Sequence, residues 1–210
     1  VTASMAMTTT VKATSTANTQ PLTIGGSANG TKVTVKNSTI EAGKAGYGII
    51  TFVESNITVE NSTISGYAAL YLKAGSDNTE VNFYGSVLET VGYASEAFGT
   101  LVFEDIKGAT ITTDENTTVN ANGYVVFFST YQGAISTNNT ANIAGTINAA
   151  KSVFNFGDDS TVVTSSQEFA ELLNNDGYAV EEVNGLYVVA GYAVAAINGK
   201  GYATLEKAYA

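Results

Sequence analysis

The sequence predicts an all-β protein, a right-handed parallel β-helix (solenoid) of about six to seven coils with a small C-terminal helix and β-hairpin as a cap. Two observations lead to this fold class. A phrase of eight residues occurs three times at a constant offset of 24 residues, beginning at Val33, Ile57 and Val81. A helical pattern follows only after residue 164, where the repeats stop. Short fixed repeats are typical of solenoids, in which each coil stacks on the one before.

Each phrase alternates apolar and polar residues, which is the pattern of a half-buried strand. A turn triplet follows the strand and begins at Asn37, Asn61 or Gly85. We expect like residues to stack in parallel, with Val35 lying over Val59 in the interior. At the turn, Asn37 over Asn61 predicts a ladder of hydrogen-bonded amides.

Between the phrases the sequence predicts a second strand, which often begins with Gly-Tyr. These segments are residues 46–52, 66–72, 92–93 and 123–128. The phrase returns at Gly108 and Gly145, and the 37 residues between them predict an extra coil around residues 117–120. The last coil is residues 152–163, so we place the β-helix at residues 22–164.

Residues 1–21 have two interpretations. Met7 to Thr14 forms a first strand over the open end of the solenoid, or residues 1–13 are the remnant of a signal peptide. In the second interpretation, Val11-Lys12-Ala13 is a cleavage site of small residues.

Residues 165–190 predict a cap on the last coil. Ser165 to Glu168 fits a capping box, and the helix that follows ends at Gly177. Asn184-Gly185 between two β-type segments predicts a hairpin. We expect this unit to cover the exposed strand edge of the last coil.

Composition excludes several classes of function. The chain has no Cys, His or Arg, which rules out a Ser-His-Asp triad, a thiolate or imidazole metal site and bidentate arginine recognition of phosphate. A net charge of −10 disfavours binding to nucleic acid and to anionic membranes. No stretch of 18 apolar residues occurs, so membrane insertion is not expected.

Lysines and carboxylates are the remaining candidates for catalysis or metal binding. The lysines considered as bases are Lys73, Lys107 and Lys151, and the acids are Glu41, Glu60, Glu80, Glu89, Glu104 and Asp105. Asp114-Glu115 and Asp158-Asp159 lie in turns without the spaced oxygen ligands of a tight Ca²⁺ site. Solvated side chains are the favoured interpretation throughout, so we predict no catalytic residue, no metal and no cofactor.

Tyrosines recur at the coil boundaries. Tyr47, Tyr67, Tyr93 and Tyr124 could line one flank as a stacking surface for sugar rings. The alternative, which we favour, is that their rings cover the edge of the core and leave the hydroxyl groups in water.

Residues 191–210 contain a strand with Val194 and Ile197, an Asn-Gly turn, and Tyr202-Ala-Thr-Leu205 before a short helical segment. This pattern resembles the start of the right-handed, pectate-lyase-like β-helix modules of large bacterial surface proteins. The resemblance implies an extracellular or cell-surface protein. Here the opening pattern lies at the end of the sequence given.

We therefore expect a non-enzymatic structural or adhesive surface protein. Its apolar tail, with Val194, Ile197, Tyr202 and Leu205, predicts head-to-tail association of identical chains. A carbohydrate-binding module is the first alternative, with a polysaccharide or a host surface as partner. A degenerate polysaccharide lyase or hydrolase is the second.

Overall fold

The computed structural model describes residues 2–5, 10–12, 20–26, 30–91, 98–129 and 136–210. In chain order the strands of the solenoid are β1 (Thr2–Met5), β2 (Thr10–Lys12), β3 (Leu22–Ile24), β4 (Thr31–Lys36), β5 (Thr39–Glu41), β6 (Tyr47–Thr51), β7 (Ser55–Glu60), β8 (Thr63–Gly66), β9 (Ala68–Leu72), β10 (Glu80–Tyr84), β11 (Val87–Thr90), β12 (Gly99–Glu104), β13 (Thr110–Thr113), β14 (Thr118–Ser129), β15 (Thr140–Ile143), β16 (Thr146–Phe154) and β17 (Thr161–Thr164). The C-terminal elements are α1 (Gln167–Asn175), β18 (Tyr178–Val183), β19 (Leu186–Tyr192), β20 (Ala195–Ile197), β21 (Lys200–Tyr202) and α2 (Leu205–Tyr209).

The strands form a parallel β-solenoid of about five turns, which confirms the predicted fold class. The first sheet has the order β1-β4-β7-β10-β13-β15-β17-β19-β18, and its first seven strands are parallel. Val35 pairs with Val59, and Val59 with Phe83, as the 24-residue offset predicts. All three side chains are fully buried in the interior.

The second sheet has ten strands in its hydrogen-bonded order, with β16 paired to β14 beside that order. One row stacks β5, β8 and β11, and another stacks β6, β9 and β12. The long strand β14 joins them, because its first half pairs with β11 and its second half with β12. Three short strands per turn therefore surround one apolar core.

Serines, not asparagines, form the buried ladder at the first corner. The Ser38 N–H donates to Ser62 Oγ at 3.0 Å, and the Ser62 N–H donates to Ser86 Oγ at 3.2 Å. Asn37 and Asn61 are exposed and adopt left-handed φ values of 48° and 47°, a conformation that Asn tolerates. The asparagine therefore turns the chain, and the serine satisfies the backbone groups that this turn buries.

The turns differ in length, which corrects the predicted number of coils. From the register of the first sheet, successive turns take 24, 24, 30, 30 and 21 residues. Ile111 pairs with Val81, so the segment after Gly108 repeats the start of the phrase and not its end. Because β13 pairs directly with β15, the extra coil predicted around residues 117–120 is wrong. Insertions at the corners change the spacing while the ladders keep their register.

The predicted cap is confirmed, with one shift. The N-cap of α1 is Ser166, whose Oγ accepts a hydrogen bond from the Phe169 N–H at 3.3 Å, so the capping box predicted at Ser165 is one residue out of place. Asn184 and Gly185 have φ values of 54° and 77°, as a two-residue hairpin turn requires. β19 pairs antiparallel with β17 and thereby covers the edge of the last coil.

At the other end, β1 and β2 pair in parallel with β4 and β5. The strand predicted for Met7 to Thr14 is confirmed at Thr10–Lys12, and its other residues lie outside the described part of the chain. The signal-peptide interpretation of residues 1–13 stays a prediction.

Candidate interaction surface

One lysine and one glutamate from the candidate catalytic residues meet on adjacent strands. Lys73 Nζ forms an ion pair with Glu104, and the Tyr71 hydroxyl donates a hydrogen bond to the same carboxylate. Glu104 is only 3% exposed, and a carboxylate this buried is stable only with such partners. Burial raises the pKa of Tyr71, and the hydrogen bond to Glu104 raises it further. The cluster therefore holds Tyr71 protonated and joins two turns of the solenoid.

The other candidate acids contact amides or a lysine on neighbouring turns, or lie at strand ends. Glu60 pairs with Lys36 at 2.8 Å, as expected for a solvent-facing ladder of opposite charge. The remaining placements are these: Glu80 accepts from Asn56, Glu89 accepts from Asn120, Glu41 ends β5, Asp105 follows β12 with a φ of 51°, Lys107 bridges to Thr137, and Lys151 Nζ lies 5.3 Å from the ring centroid of Tyr124. These contacts join one turn to the next.

The acidic turns have structural contacts. Asp114 accepts hydrogen bonds from Thr117 Oγ1 at 2.6 Å and from the Gly85 N–H at 3.0 Å. Burial acts to raise the pKa of Asp114, but hydrogen bonds from Thr117, Gly85 and Asn116 outweigh it and leave the pKa below its usual value. Asp158 bridges to Thr137. Among the residues placed by the structure, no three acidic side chains are grouped as a metal site would require.

An aromatic row crosses the outer face of the second sheet. We give this name to Tyr71, Phe98, Phe127 and Phe154, whose successive ring centroids lie 5.9, 5.0 and 4.6 Å apart. The alternate residues of the same strands, such as Leu72 on β9, point into the interior core. Sequence reasoning missed this row because its members are spaced by 27, 29 and 27 residues and not by the 24 of the phrase.

The candidate sugar-stacking tyrosines pack against this row. Tyr47 stacks on Tyr71 at 4.3 Å, and Tyr67 stacks on Phe98 at 4.7 Å. Tyr124 lies 5.1 Å from Phe154, so it contacts the other end of the row. All three are half-buried. Tyr93 lies outside the described residues.

Exposed apolar side chains concentrate at the C-terminal end of the solenoid. Ten large apolar side chains are exposed among the described residues, and seven of them lie within residues 183–210. Those seven are Val183, Leu186, Tyr192, Val194, Ile197, Leu205 and Tyr209. We call them the terminal apolar surface. The hairpin tip and Tyr209 were missed in the sequence, because single apolar residues beside a turn carry no repeat pattern.

The tail folds back on its own module, which was one of the two outcomes expected for it. The Ala193 N–H donates to the Gly177 carbonyl at 2.9 Å, and the Gly201 N–H donates to Asn174 Oδ1 at 2.7 Å. This folding half-buries Tyr202. It leaves Val194 65% exposed and Leu205 60% exposed, so the tail does not bury its own apolar side chains.

The class that this fold defines is the parallel β-solenoid closed by a helix and a hairpin. No protein-family model, no curated protein and no solved structure matches the chain. The described helices, α1 and α2, are both too short and too polar to cross a membrane.

Proposed function

We propose that the protein is a non-enzymatic, extracellular structural or adhesive module at the cell surface, a stiff β-solenoid that associates end to end. Membership in the right-handed, pectate-lyase-like modules of bacterial surface proteins is part of this proposal, on the tail pattern that resembles them. The terminal apolar surface is the observation that supports the proposal most. Apolar side chains clustered in this way are typical of contacts with another protein.

Association through the end of a solenoid leaves the opposite end of each copy free. A contact of this kind repeats and gives a filament or a surface array unless it closes into a ring. The parallel ladders supply the stiffness, because every turn is hydrogen-bonded to the turns on either side.

Removal of the tail tests this function. Deletion should begin at Ala193, because Tyr192 belongs to β19 and stacks on Tyr178 with ring centroids 4.7 Å apart. We expect the full chain to form assemblies whose mass grows with concentration in light scattering, and the shortened chain to remain monomeric. A monomeric full chain at high concentration contradicts the proposal.

A matched pair of single substitutions separates a specific contact from general stickiness. Leu205→Ser removes an apolar side chain from the terminal apolar surface, whereas Phe52→Ser removes one that is 39% exposed in the middle of the solenoid. Only Leu205→Ser should reduce the mass of the assemblies. Equal loss in both variants would mean that the association is non-specific.

Carbohydrate binding is the second candidate, and the tyrosines at the aromatic row favour it. Tyr67 and Tyr124 are half-buried and present part of their rings next to other rings, which is a surface suited to stacking on sugars. Retardation of the chain in gels that contain neutral polysaccharide, lost in Tyr67→Ser, would support this alternative. A lyase or hydrolase has less support, since the base candidate Lys73 is paired with Glu104.

A further inference from the structure

The first and last strands of the first sheet run in the same direction. β19 is antiparallel to β17, and β18 is antiparallel to β19. β18 is therefore parallel to β17 and, through the parallel ladder, to β1. A second copy shifted along the solenoid axis would present its β1 to β18 in the direction that the turns already use. A cap with only one antiparallel strand would not restore this direction.

The outer edge of β18 is not part of a ladder with the tail. β20 and β21 form a separate two-stranded sheet, and β18 is the last strand of the first sheet. A cleft of about 200 Å³ lies between β18 and β21, lined by Glu181, Lys200 and Tyr202 among others. The end of the sheet thus keeps a strand edge beside the terminal apolar surface.

Charge differs in sign between the two ends of the chain. Residues 1–50, which form the first two turns, contain four lysines and one glutamate. Residues 165–210, which form the cap and tail, contain six carboxylates and two lysines. The net charges are +3 and −4, so the C-terminal end of one copy attracts the N-terminal end of another.

The middle of the solenoid carries charges that oppose contact between its sides. Residues 51–164 contain twelve carboxylates and three lysines. Two copies lying side by side would bring these like charges together, which is unfavourable. Charge therefore favours end-to-end stacking over lateral packing.

We infer that the acidic C-terminal end of one copy docks on the lysine-bearing N-terminal turns of a second copy, in the same orientation along the axis. This inference rests on the proposed end-to-end association and specifies its polarity and its two surfaces. β18 and the terminal apolar surface form one side of the contact. The edge of β1 and the first turns, with Lys32 exposed on β4, form the other.

Single cysteines test the polarity directly, because the chain has none of its own. Glu182→Cys labels the C-terminal end, Lys32→Cys labels the N-terminal end, and Glu115→Cys is the control in the middle. All three native side chains are exposed. In a head-to-tail stack, identical labels on adjacent copies are separated by one molecule, roughly 40 Å for nine strands about 4.8 Å apart.

A short bismaleimide reagent should therefore link Glu182→Cys to Lys32→Cys in a mixture of the two variants and give no dimer with any variant alone. Dimers of Glu182→Cys alone would show a tail-to-tail contact, and dimers of Glu115→Cys would show a lateral one; either result overturns the inference. Absence of linkage in the mixture, under conditions where the unmodified chain associates, also overturns it. If the unmodified chain is monomeric, the proposed function itself has failed.

Charge reversal gives a second readout. Glu182→Lys should weaken association about threefold to tenfold at low salt, and adding Lys32→Glu to the same chain should restore it. Glu115→Lys changes the net charge equally and should not weaken association. The effect of Glu182→Lys should diminish at about 1 M salt, where charges are screened within about 3 Å. Equal effects of Glu182→Lys and Glu115→Lys would contradict an end-specific contact.

Discussion

Substituting Val59 with aspartate tests the stacking of the solenoid at its centre. Val59 is fully buried and lies in register between Val35 and Phe83 on the adjacent turns. Loss of the buried valine costs about 1.5–3 kcal/mol, and an unpaired carboxyl group in an apolar interior costs several more. The sum approaches the total stability of a typical domain, about 5–15 kcal/mol. We therefore expect Val59→Asp to unfold or aggregate at neutral pH.

The matched control is the next residue along the same strand. Glu60 faces solvent and pairs with Lys36, with side-chain exposures of 33% and 40%. Surface pairs of this kind contribute about 0–1 kcal/mol, so Glu60→Ala should be nearly silent. Urea unfolding followed by far-UV circular dichroism measures both variants. Equal shifts of the unfolding midpoint would show that the assignment of interior and exterior faces is wrong.

Two further predictions concern the buried polar groups. Ser62→Ala should destabilise the chain by about 1–3 kcal/mol, because the buried Ser38 N–H loses the hydroxyl that accepts its hydrogen bond; Thr58→Ala on the outer face of β7 is the control, and equal melting temperatures for the two would refute the role of the serine ladder. Tyr71→Phe should flatten the alkaline loss of stability. The pKa of Tyr71 is raised in the folded chain above its ordinary 10.0, so its contribution is complete below about pH 10 and is lost as the pH rises further. Thermal melts from pH 8 to pH 11 measure this, and an unchanged slope in Tyr71→Phe would count against the burial of its hydroxyl.

The sequence by itself determined the parallel solenoid and the cap. An alternating phrase at a constant offset has only one way to bury its apolar residues, which is to stack like on like, and the structure does this at Val35, Val59 and Phe83. The hairpin turn at Asn184-Gly185 was predictable for a local reason, since few residues other than Asn and Gly adopt positive φ at both positions.

The tertiary structure alone decided the features that depend on contacts between turns. The length of each turn is set by insertions at the corners, and sequence spacing cannot show where the ladder resumes; this is why Gly108 was assigned to the wrong sheet. Serines rather than asparagines form the corner ladder because the asparagine adopts the left-handed turn and only the next side chain points inward.

The candidate surface divides in the same way. Apolar residues in the tail were visible in the sequence, but their exposure was not, because it depends on how far the tail folds back on Asn174 and Gly177. The shared direction of β1 and β18 follows only from the pairing of the hairpin with β17. Strand direction and exposure are properties of the assembled chain, since each is defined by neighbours that lie far apart in sequence.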